Sequence, residues 1–211
     1  DLVIEVLDAR IPFSSENPLV PALRGSKPAI KILNRSDLAD PAVTQRWLRH
    51  LERTPGVKAV ALTQKHQSEV LGLLNLVPEL LKHRNLENRT VRVLILGIPN
   101  VGKSTLINTL AGRVIAKTGN EPAVTKMLQR IQLPNSIQLL DTPGFLWPKL
   151  SPEECGYRLA TTGAIKDAVI ELDEVAMFAA EFLLAAYPDA LISRYQLQQP
   201  LPASAVELMD A

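Results

Sequence analysis

The sequence predicts an α/β protein with a doubly wound, mainly parallel sheet, followed by a small all-helical domain. Short runs rich in Val, Ile and Leu recur as far as residue 141, and helix-like stretches lie between several of them. After Trp147 and Pro148 the strand signal disappears, and the remaining residues have helical patterns. We therefore expect a sheet domain at residues 1–149 and a helical domain at residues 150–211.

The predicted strands are five apolar segments, and one helix between them has a clear beginning. Asp40 can cap this helix, Pro41 fits its first turn, and the helical pattern continues until Pro55 and Gly56 interrupt it. Further helices are expected at residues 67–83 and 174–187. The strands are LVIEVLDA, PAIKILN, VKAVAL, VRVLILGI and IQLLD.

Composition limits the classes of protein that the chain can be. Its 211 residues are 46% hydrophobic and 21% charged, which suits a globular protein with one substantial core. The single cysteine, Cys155, cannot form an internal disulfide, so a reducing compartment and a cytoplasmic location are expected. The most apolar late stretch, VAMFAAEFLLAAY, contains Glu181 and is shorter than the ~20 residues of a membrane span. We expect no membrane contact.

The strongest chemical signal is GIPNVGKS at residues 97–104, which has the pattern G-x-x-x-x-G-K-S between a strand and a helix. Backbone amides of such a loop surround phosphate groups at a helix N-terminus. Lys103 is expected to contact the β and γ phosphates, and the Ser104 hydroxyl is expected to bind Mg²⁺. The loop residues expected to contact the nucleotide are Asn100, Val101, Gly102, Lys103, Ser104 and Thr105.

Downstream, the strand IQLLD runs into the turn DTPG. Asp141 can hold Mg²⁺ through water, and the Gly144 amide can contact the γ-phosphate without a side chain in the way. Between the two loops, Thr125 is expected to close over the γ-phosphate and Mg²⁺, with Thr118 as the alternative. The candidate catalytic residues are Lys103, Thr125 and Gly144, and the candidate Mg²⁺ ligands are Ser104, Thr125 and Asp141.

NRSD, at residues 34–37, follows a strand and predicts selection of guanine. The Asp37 carboxylate can accept hydrogen bonds from guanine N1–H and the exocyclic amine, which adenine cannot provide together. Asn34 can connect the base to the neighbouring loops, and the stem of Arg35 can lie over the ring face. Thr63 and Gln64 end a further strand, where a backbone amide could contact guanine O6, although a plain loop stays open as an alternative. GTP is the expected substrate, with ATP as a distant alternative because the usual motif has Lys in place of Arg35.

The order of these motifs is reversed relative to most guanine-nucleotide proteins, in which the phosphate loop comes first. The ligand loops of an open parallel sheet all emerge at the carboxyl ends of the strands. The ends of a domain are often close together, so a circular permutation keeps such a site intact. We therefore predict a circularly permuted P-loop GTPase domain.

The chain resembles the circularly permuted GTPases of the YlqF/RbgA type, the ribosome biogenesis GTPase A family. The resemblance is carried by NRSD, TQK, GIPNVGKST, Thr125 and DTPG in that order, together with LDARIPFSSENP, AKTGNEP, DTPGFLWPK and TGAIKD. It implies a bacterial cytoplasmic GTPase that assists late maturation of the large ribosomal subunit. The helical domain is then expected to contact rRNA or the precursor particle, and we expect the protein to be a monomer. The alternative is a non-ribosomal GTP-dependent switch that regulates a protein partner.

Two positions bear on the mechanism. Phe145 follows the glycine of DTPG, where many GTPases have a Gln that positions water, so intrinsic hydrolysis is expected to be slow and stimulated by the particle. The family is thought to use a His from a segment ahead of the first strand, which this sequence does not include, and no catalytic role is assigned to the His residues present. Asn100 resembles the Asn that holds K⁺ in cation-stimulated relatives, with hydrogen bonding inside the loop as the alternative.

Overall fold

The computed structural model describes residues 1–63, 65–83, 89–115 and 128–210. Packing divides the chain into two compact units, Asp1–Lys149 and Leu150–Ala211. All the described strands belong to the first unit, and the described elements of the second unit are helical.

The first unit contains a six-stranded sheet in the order β3-β2-β1-β4-β6-β5. Every neighbouring pair is parallel except β5 with β6, so the prediction of a mainly parallel sheet is confirmed. Each of the five predicted strands is present. The strands are β1 Leu2–Asp8, β2 Ala29–Asn34, β3 Val57–Leu62, β4 Val91–Gly97, β5 Gln129–Leu133 and β6 Ile137–Asp141.

The antiparallel edge strand β5 was not among the predicted strands. Its sequence QRIQL has only two apolar side chains, and these, Ile131 and Leu133, are its buried ones. Asn135 and Ser136 both adopt positive φ angles, near +60° and +56°, in the tight connection to β6. The hairpin thus depends on a short turn and on pairing with β6, and the hydrophobicity of β5 alone is too weak to reveal it.

Helices connect the parallel strands. The Asp40 cap predicted for α3 is confirmed, since its Oδ1 accepts the Val43 N–H at 2.9 Å. The helix predicted at residues 67–83 is also present and ends at Leu80. The helices of this unit are α1 Pro12–Ser15, α2 Val20–Arg24, α3 Pro41–Leu51, α4 Gln67–Leu80 and α5 Lys103–Ala111.

The sheet core fixes the ends of the strands. Where α3 packs on the sheet, Leu7 of β1 and Leu33 of β2 lie in register and are fully buried. Leu51 and Ala59 complete this cluster, and Trp47 packs against it. Burial of this apolar surface fixes the carboxyl ends of the strands, and therefore the positions from which the following loops begin.

The second unit is built around α7. Tyr157 of α6 stacks on Phe178 of α7 with ring centroids 5.2 Å apart, and its hydroxyl donates to Glu174 at 3.1 Å. No single helix in the described ranges has the length and apolarity to cross a membrane; α7 and α8 would pass such a test only as a pair, and they are bent by 115°. The helices are α6 Glu154–Thr161, α7 Leu172–Ala186, α8 Pro188–Tyr195 and α9 Ala205–Asp210.

A buried charged group lies in the middle of the sheet. Glu5 of β1 is in register with Lys31 of β2, and its Oε2 lies 3.3 Å from Lys31 Nζ. Glu5 Oε1 accepts the Asn17 N–H at 2.9 Å, and Lys31 Nζ also donates to Glu16. Burial raises the pKa of the Glu5 carboxyl above its ordinary value of 4.5, although the Lys31 ammonium opposes this shift.

We predict that Glu5→Gln raises the free energy of unfolding above that of the unmodified chain, and that this increase is larger at pH 8 than at pH 4.5. The folded chain binds the Glu5 proton more tightly than the unfolded chain. The stability of the unmodified chain therefore falls as the pH rises from 4.5 through the raised pKa. Gln has the same shape and does not titrate, so the variant lacks this loss. Urea denaturation at the two pH values measures the difference in unfolding free energy.

The control is Glu79→Gln, which changes an exposed carboxylate of the same unit. Its effect on stability should be small at both pH values. A Glu5→Gln difference that stays constant with pH, or that shifts toward destabilisation at pH 8, would contradict the prediction.

Candidate nucleotide-binding site

The candidate site lies where five strands end. Asp8 closes β1, Asn34 closes β2, Thr63 follows β3, Gly97 closes β4 and Asp141 closes β6. Because these strands are parallel, their carboxyl ends lie at one edge of the sheet. Loops that are far apart in sequence therefore meet there, as expected for an open parallel sheet.

The phosphate loop connects β4 to α5. An added Cβ at Gly97 would lie 2.7 Å from the Val6 carbonyl oxygen, so only glycine fits between the two strands. Asn100 and Gly102 have positive φ angles, near +57° and +93°, and Gly102 directly precedes the first residue of α5, Lys103. The loop has the turn-then-helix geometry that presents backbone amides to an anion.

The DTPG turn lies against the phosphate loop. Both the amide and the hydroxyl of Thr142 donate to the Ile95 carbonyl, at 3.2 and 3.0 Å. The Phe145 amide donates to the Gly97 carbonyl at 3.4 Å. A Cβ at Gly144 would lie 3.0 Å from Pro99 Cα, so a side chain there would crowd the phosphate-loop backbone. The close contact between the two loops therefore favours glycine at this position.

Lys103 and Asp141 form a buried ion pair beneath the phosphate loop. The Lys103 side chain is 6% exposed, the Asp141 side chain is fully buried, and Nζ donates to Oδ1. Asp141 Oδ2 has no hydrogen-bond partner among the described residues. Ser104 is partly buried in the first turn of α5. A carboxylate oxygen with spare acceptor capacity and a side-chain hydroxyl are oxygen donors of the type that Mg²⁺ prefers, so these residues fit the ion by their chemistry.

The loop NRSD at residues 34–37, the candidate base-reading loop, is joined to the phosphate loop by two hydrogen bonds. The fully buried Asn34 donates its Nδ2 to the Val101 carbonyl at 2.6 Å, while its Oδ1 has no partner among the described residues. Arg35 has a φ of +59°, and its Nη2 donates to the Asn100 carbonyl at 2.5 Å. The expected contact between Asn34 and the neighbouring loops is thus present.

Asp37 lies in a short 3₁₀ turn, Ser36–Leu38, with about a quarter of its side chain exposed. Lys65 Nζ lies 2.8 Å from Asp37 Oδ2. Hydrogen bonding from Lys65, helped by the Thr63 side chain, lowers the pKa of the Asp37 carboxyl, while its partial desolvation acts in the opposite direction. The carboxylate is therefore ionised at neutral pH and can accept hydrogen bonds.

The other predicted residues divide into two groups. Thr105 is partly buried in α5, one residue after Ser104. Gln64 and Thr125, and the alternative Thr118, lie outside the described residues. The predictions for them remain untested.

Sequence alone did not identify Asp8 or Arg10 as a candidate site residue, and it gave Lys65, in the loop TQK after β3, no role of its own. Asp8 is buried at the end of β1, and Arg10 holds its carboxylate with two side-chain hydrogen bonds. Asp8 directly follows an apolar strand, as Asn34 does, so the strand-end rule could have identified it. Lys65 could be found only from its contact with Asp37, which depends on the fold.

Comparisons with known proteins agree with this fold. Residues 92–187 match the family described as 50S ribosome-binding GTPase. Ribosome biogenesis GTPase A of Priestia megaterium is 45% identical over 219 residues, spanning all of this chain and 75% of the relative. The protein of that name from Bacillus pumilus is 44% identical, across all of this chain and 77% of the relative.

A solved structure described as GDP-bound TM YlqF has a TM-score of 0.63 and 27% sequence identity. The match covers 99% of this chain and 86% of that chain. Both the sheet and the succession of loops are therefore those of a known GTPase fold. Because it is 45% and 44% identical over its full length to two proteins named ribosome biogenesis GTPase A, the chain belongs to the ribosome biogenesis GTPase A family.

Proposed function

We propose that this chain binds Mg²⁺-GTP, hydrolyses it slowly on its own, and acts as an assembly factor in late maturation of the large ribosomal subunit. The observation that carries the proposal is the direct connection between the base-reading and phosphate loops, from Asn34 Nδ2 to the Val101 carbonyl. This hydrogen bond fixes the distance between the two loops. A fixed distance is needed if the base and the phosphates of one nucleotide are to contact both loops at once. The names of its relatives support the ribosomal role.

Guanine selection is proposed to come from Asp37 and Asn34. An ionised carboxylate accepts from N1–H and from the exocyclic amine of guanine, whereas adenine presents an acceptor at N1. The free Oδ1 of Asn34 adds an acceptor at the same end of the site, since it has no partner in the described part of the chain. Hydrogen bonding from the Thr63 side chain helps to lower the pKa of the Asp37 carboxyl, after the larger effect of Lys65, which favours the ionised form.

The phosphate end is proposed to depend on Lys103, Ser104 and Asp141. Lys103 supplies the positive charge for the β and γ phosphates, and the amides that precede α5 surround them. Ser104 and Asp141 would hold Mg²⁺, Asp141 through water. Bound Mg²⁺ would neutralise charge on the phosphate oxygens. Gly144 has no side chain that would stand between its backbone amide and the γ-phosphate.

Slow intrinsic hydrolysis is proposed because Phe145 occupies the usual position of the water-orienting Gln. Its amide donates to the Gly97 carbonyl, and the residue, which is 42% exposed, lines an apolar groove of about 500 Å³ with Leu94 and Leu140. The ring has no hydrogen-bonding group for water. We propose that the precursor particle accelerates the reaction, and that K⁺ near Asn100 contributes.

The helical domain is proposed to contact the particle. Residues 151–211 have ten Asp and Glu against three Lys and Arg, so attraction to RNA phosphates does not favour binding. Several of its large apolar side chains are exposed, including Leu172, Phe182 and Tyr195. We expect apolar contacts from this domain, and contacts to rRNA phosphates from the basic residues 82–150. The protein is proposed to act as a cytoplasmic monomer.

Asp37→Asn tests the base-reading role. The amide would place a donor against the donors of guanine, so GTP affinity should fall by about 2–4 kcal/mol, and xanthine nucleotide should gain affinity. Titration with fluorescent GDP and competition by GTP and XTP measure both changes. The control is Asp40→Asn, since Asn also caps α3 well. Unchanged GTP affinity in a folded Asp37→Asn variant would remove Asp37 from the site.

Single-turnover hydrolysis tests the role given to Phe145. We expect the chain alone to hydrolyse GTP at roughly 10⁻⁴ to 10⁻³ s⁻¹, as unassisted GTPases do. Phe145→Gln should not accelerate it, because the backbone at this position is hydrogen-bonded to Gly97, which restricts where the new side chain can be placed. Rates are measured in K⁺ and in Na⁺. Turnover near 1 s⁻¹ by the chain alone would show that a catalytic group within it had been overlooked.

Cosedimentation tests the ribosomal role. A non-hydrolysable GTP analogue should increase the fraction of the protein that sediments with purified large subunits or their precursors, relative to GDP. Lys103→Ala should lose this difference, because it removes the main cation for the phosphates and weakens nucleotide binding. Equal cosedimentation of the unmodified chain with GDP and with the analogue would instead favour a non-ribosomal switch.

A further inference from the structure

We propose that Asp8 is a positioning residue for nucleotide binding, which acts through Arg35 to hold the phosphate loop in its binding conformation. The proposal goes beyond the function proposed above and rests on it, since it assumes that this site takes a guanine nucleotide. It also gives a physical reason for Arg at position 35, where the usual guanine-reading motif has Lys.

Asp8 lies at the centre of the sheet edge. It ends β1, which pairs with the base-reading strand β2 on one side and with the phosphate-loop strand β4 on the other. Its side chain is 3% exposed. Oδ1 accepts the backbone N–H and the Nε of Arg10 at 3.0 and 2.9 Å, and Oδ2 accepts its Nη2 at 2.7 Å. The carboxylate is therefore held in one orientation.

Arg35 links this carboxylate to the phosphate loop. Its Nη1 lies 3.7 Å from Asp8 Oδ2, and its Nη2 donates to the Asn100 carbonyl at 2.5 Å. The two nitrogen atoms belong to one planar group, so a fixed position of one restricts the other. A Lys ammonium is a single charged point and could not hold both partners in this fixed relation.

The phosphate loop is held at two adjacent carbonyl groups. Asn100 has a left-handed φ of +57°, a conformation that Asn adopts more readily than most residues other than glycine. The carbonyl of Asn100 is held by Arg35 and the next carbonyl, of Val101, is held by Asn34. Two adjacent peptide groups are thus fixed from the base-reading loop. With those carbonyls held, the amides of the loop are oriented before a nucleotide arrives, and the cost of ordering them on binding is lower.

The negative charge of Asp8 is required for this arrangement. The guanidinium groups of Arg10 and Arg35 both approach its Oδ2. Without that charge the two cations would repel each other at short range. Arg35 is the more exposed of the two, with a third of its side chain accessible, and would move away from the Asn100 carbonyl.

A double-mutant cycle tests the proposal, with the affinity for fluorescent GDP as the readout. Asp8→Asn keeps the size but can place an amide N–H against two guanidinium groups, and Arg35→Lys removes the planar fork. Each should weaken GDP binding by about 10-fold, and the double variant should also be about 10-fold weaker. The preference for GDP over IDP should not change, because Asp37 is untouched. Glu52→Gln, at a carboxylate paired with Lys58 in the same unit, is the matched control.

Several outcomes would overturn the inference. Additive losses, about 100-fold in the double variant, would mean that Asp8 does not act through Arg35. A lower melting temperature with unchanged GDP affinity would leave Asp8 a purely structural role. A lost preference for GDP over IDP would place the effect of Arg35 at the base. If the unmodified chain does not bind GDP, the proposed function fails and the inference fails with it.

Asp8→Glu and Asp8→Ser keep the test decisive if Asp8→Asn does not fold. The Glu variant retains the charge and should bind GDP within about 3-fold of the unmodified chain, while the Ser variant should lose about 10-fold. Equal affinities in the two variants would overturn the proposal, because a positioning role that depends on charge must distinguish them.

Discussion

The site depends on the parallel pairing of β1 with β2 on one side and with β4 on the other. Neighbouring strands lie about 4.8 Å apart, so this pairing brings β2, which precedes NRSD, and β4, which precedes the phosphate loop, within about 10 Å of each other. The pairing is set by hydrogen bonds and burial, and it does not require the two strands to follow a particular chain order. NRSD can therefore precede GIPNVGKST in sequence while the loops keep the spatial relation that a nucleotide needs.

The same edge concentrates buried polar groups that satisfy one another across loops. Asn34 donates to a phosphate-loop carbonyl, and Lys103 is paired with Asp141. Two buried acceptors, Asn34 Oδ1 and Asp141 Oδ2, have no partner among the described residues, and such atoms normally cost stability. Asn34 belongs to the end of the site proposed for the base, and Asp141 to the end proposed for Mg²⁺. Their unmet hydrogen-bonding capacity is what a guanine N–H group and hydrated Mg²⁺ would complete.

Local patterns predicted most of the sheet and the phosphate loop, because both depend on short stretches of sequence. Apolar runs identified the parallel strands, and the Asp40 cap identified the start of α3. Contacts between distant loops could not be predicted in the same way. Arg35 donates to a carbonyl 65 positions away, and the partner of Asp37 is set by how the strand ends meet. The edge strand β5 was missed because its identity comes from pairing with β6.

The proposed slow rate of GTP hydrolysis depends on Phe145. In a GTPase that positions its own water, the residue after DTPG is polar and must reach the γ-phosphate. Here that residue is Phe145, which lines an apolar groove together with Leu94 and Leu140, is 42% exposed, and donates its amide to the Gly97 carbonyl. A phenyl ring has no group that can donate to or accept from a water molecule, so it cannot orient the attacking water. A GTPase of the proposed kind would keep its nucleotide intact until another group completes the site, which would suit a factor that remains bound until a particle reaches the correct state.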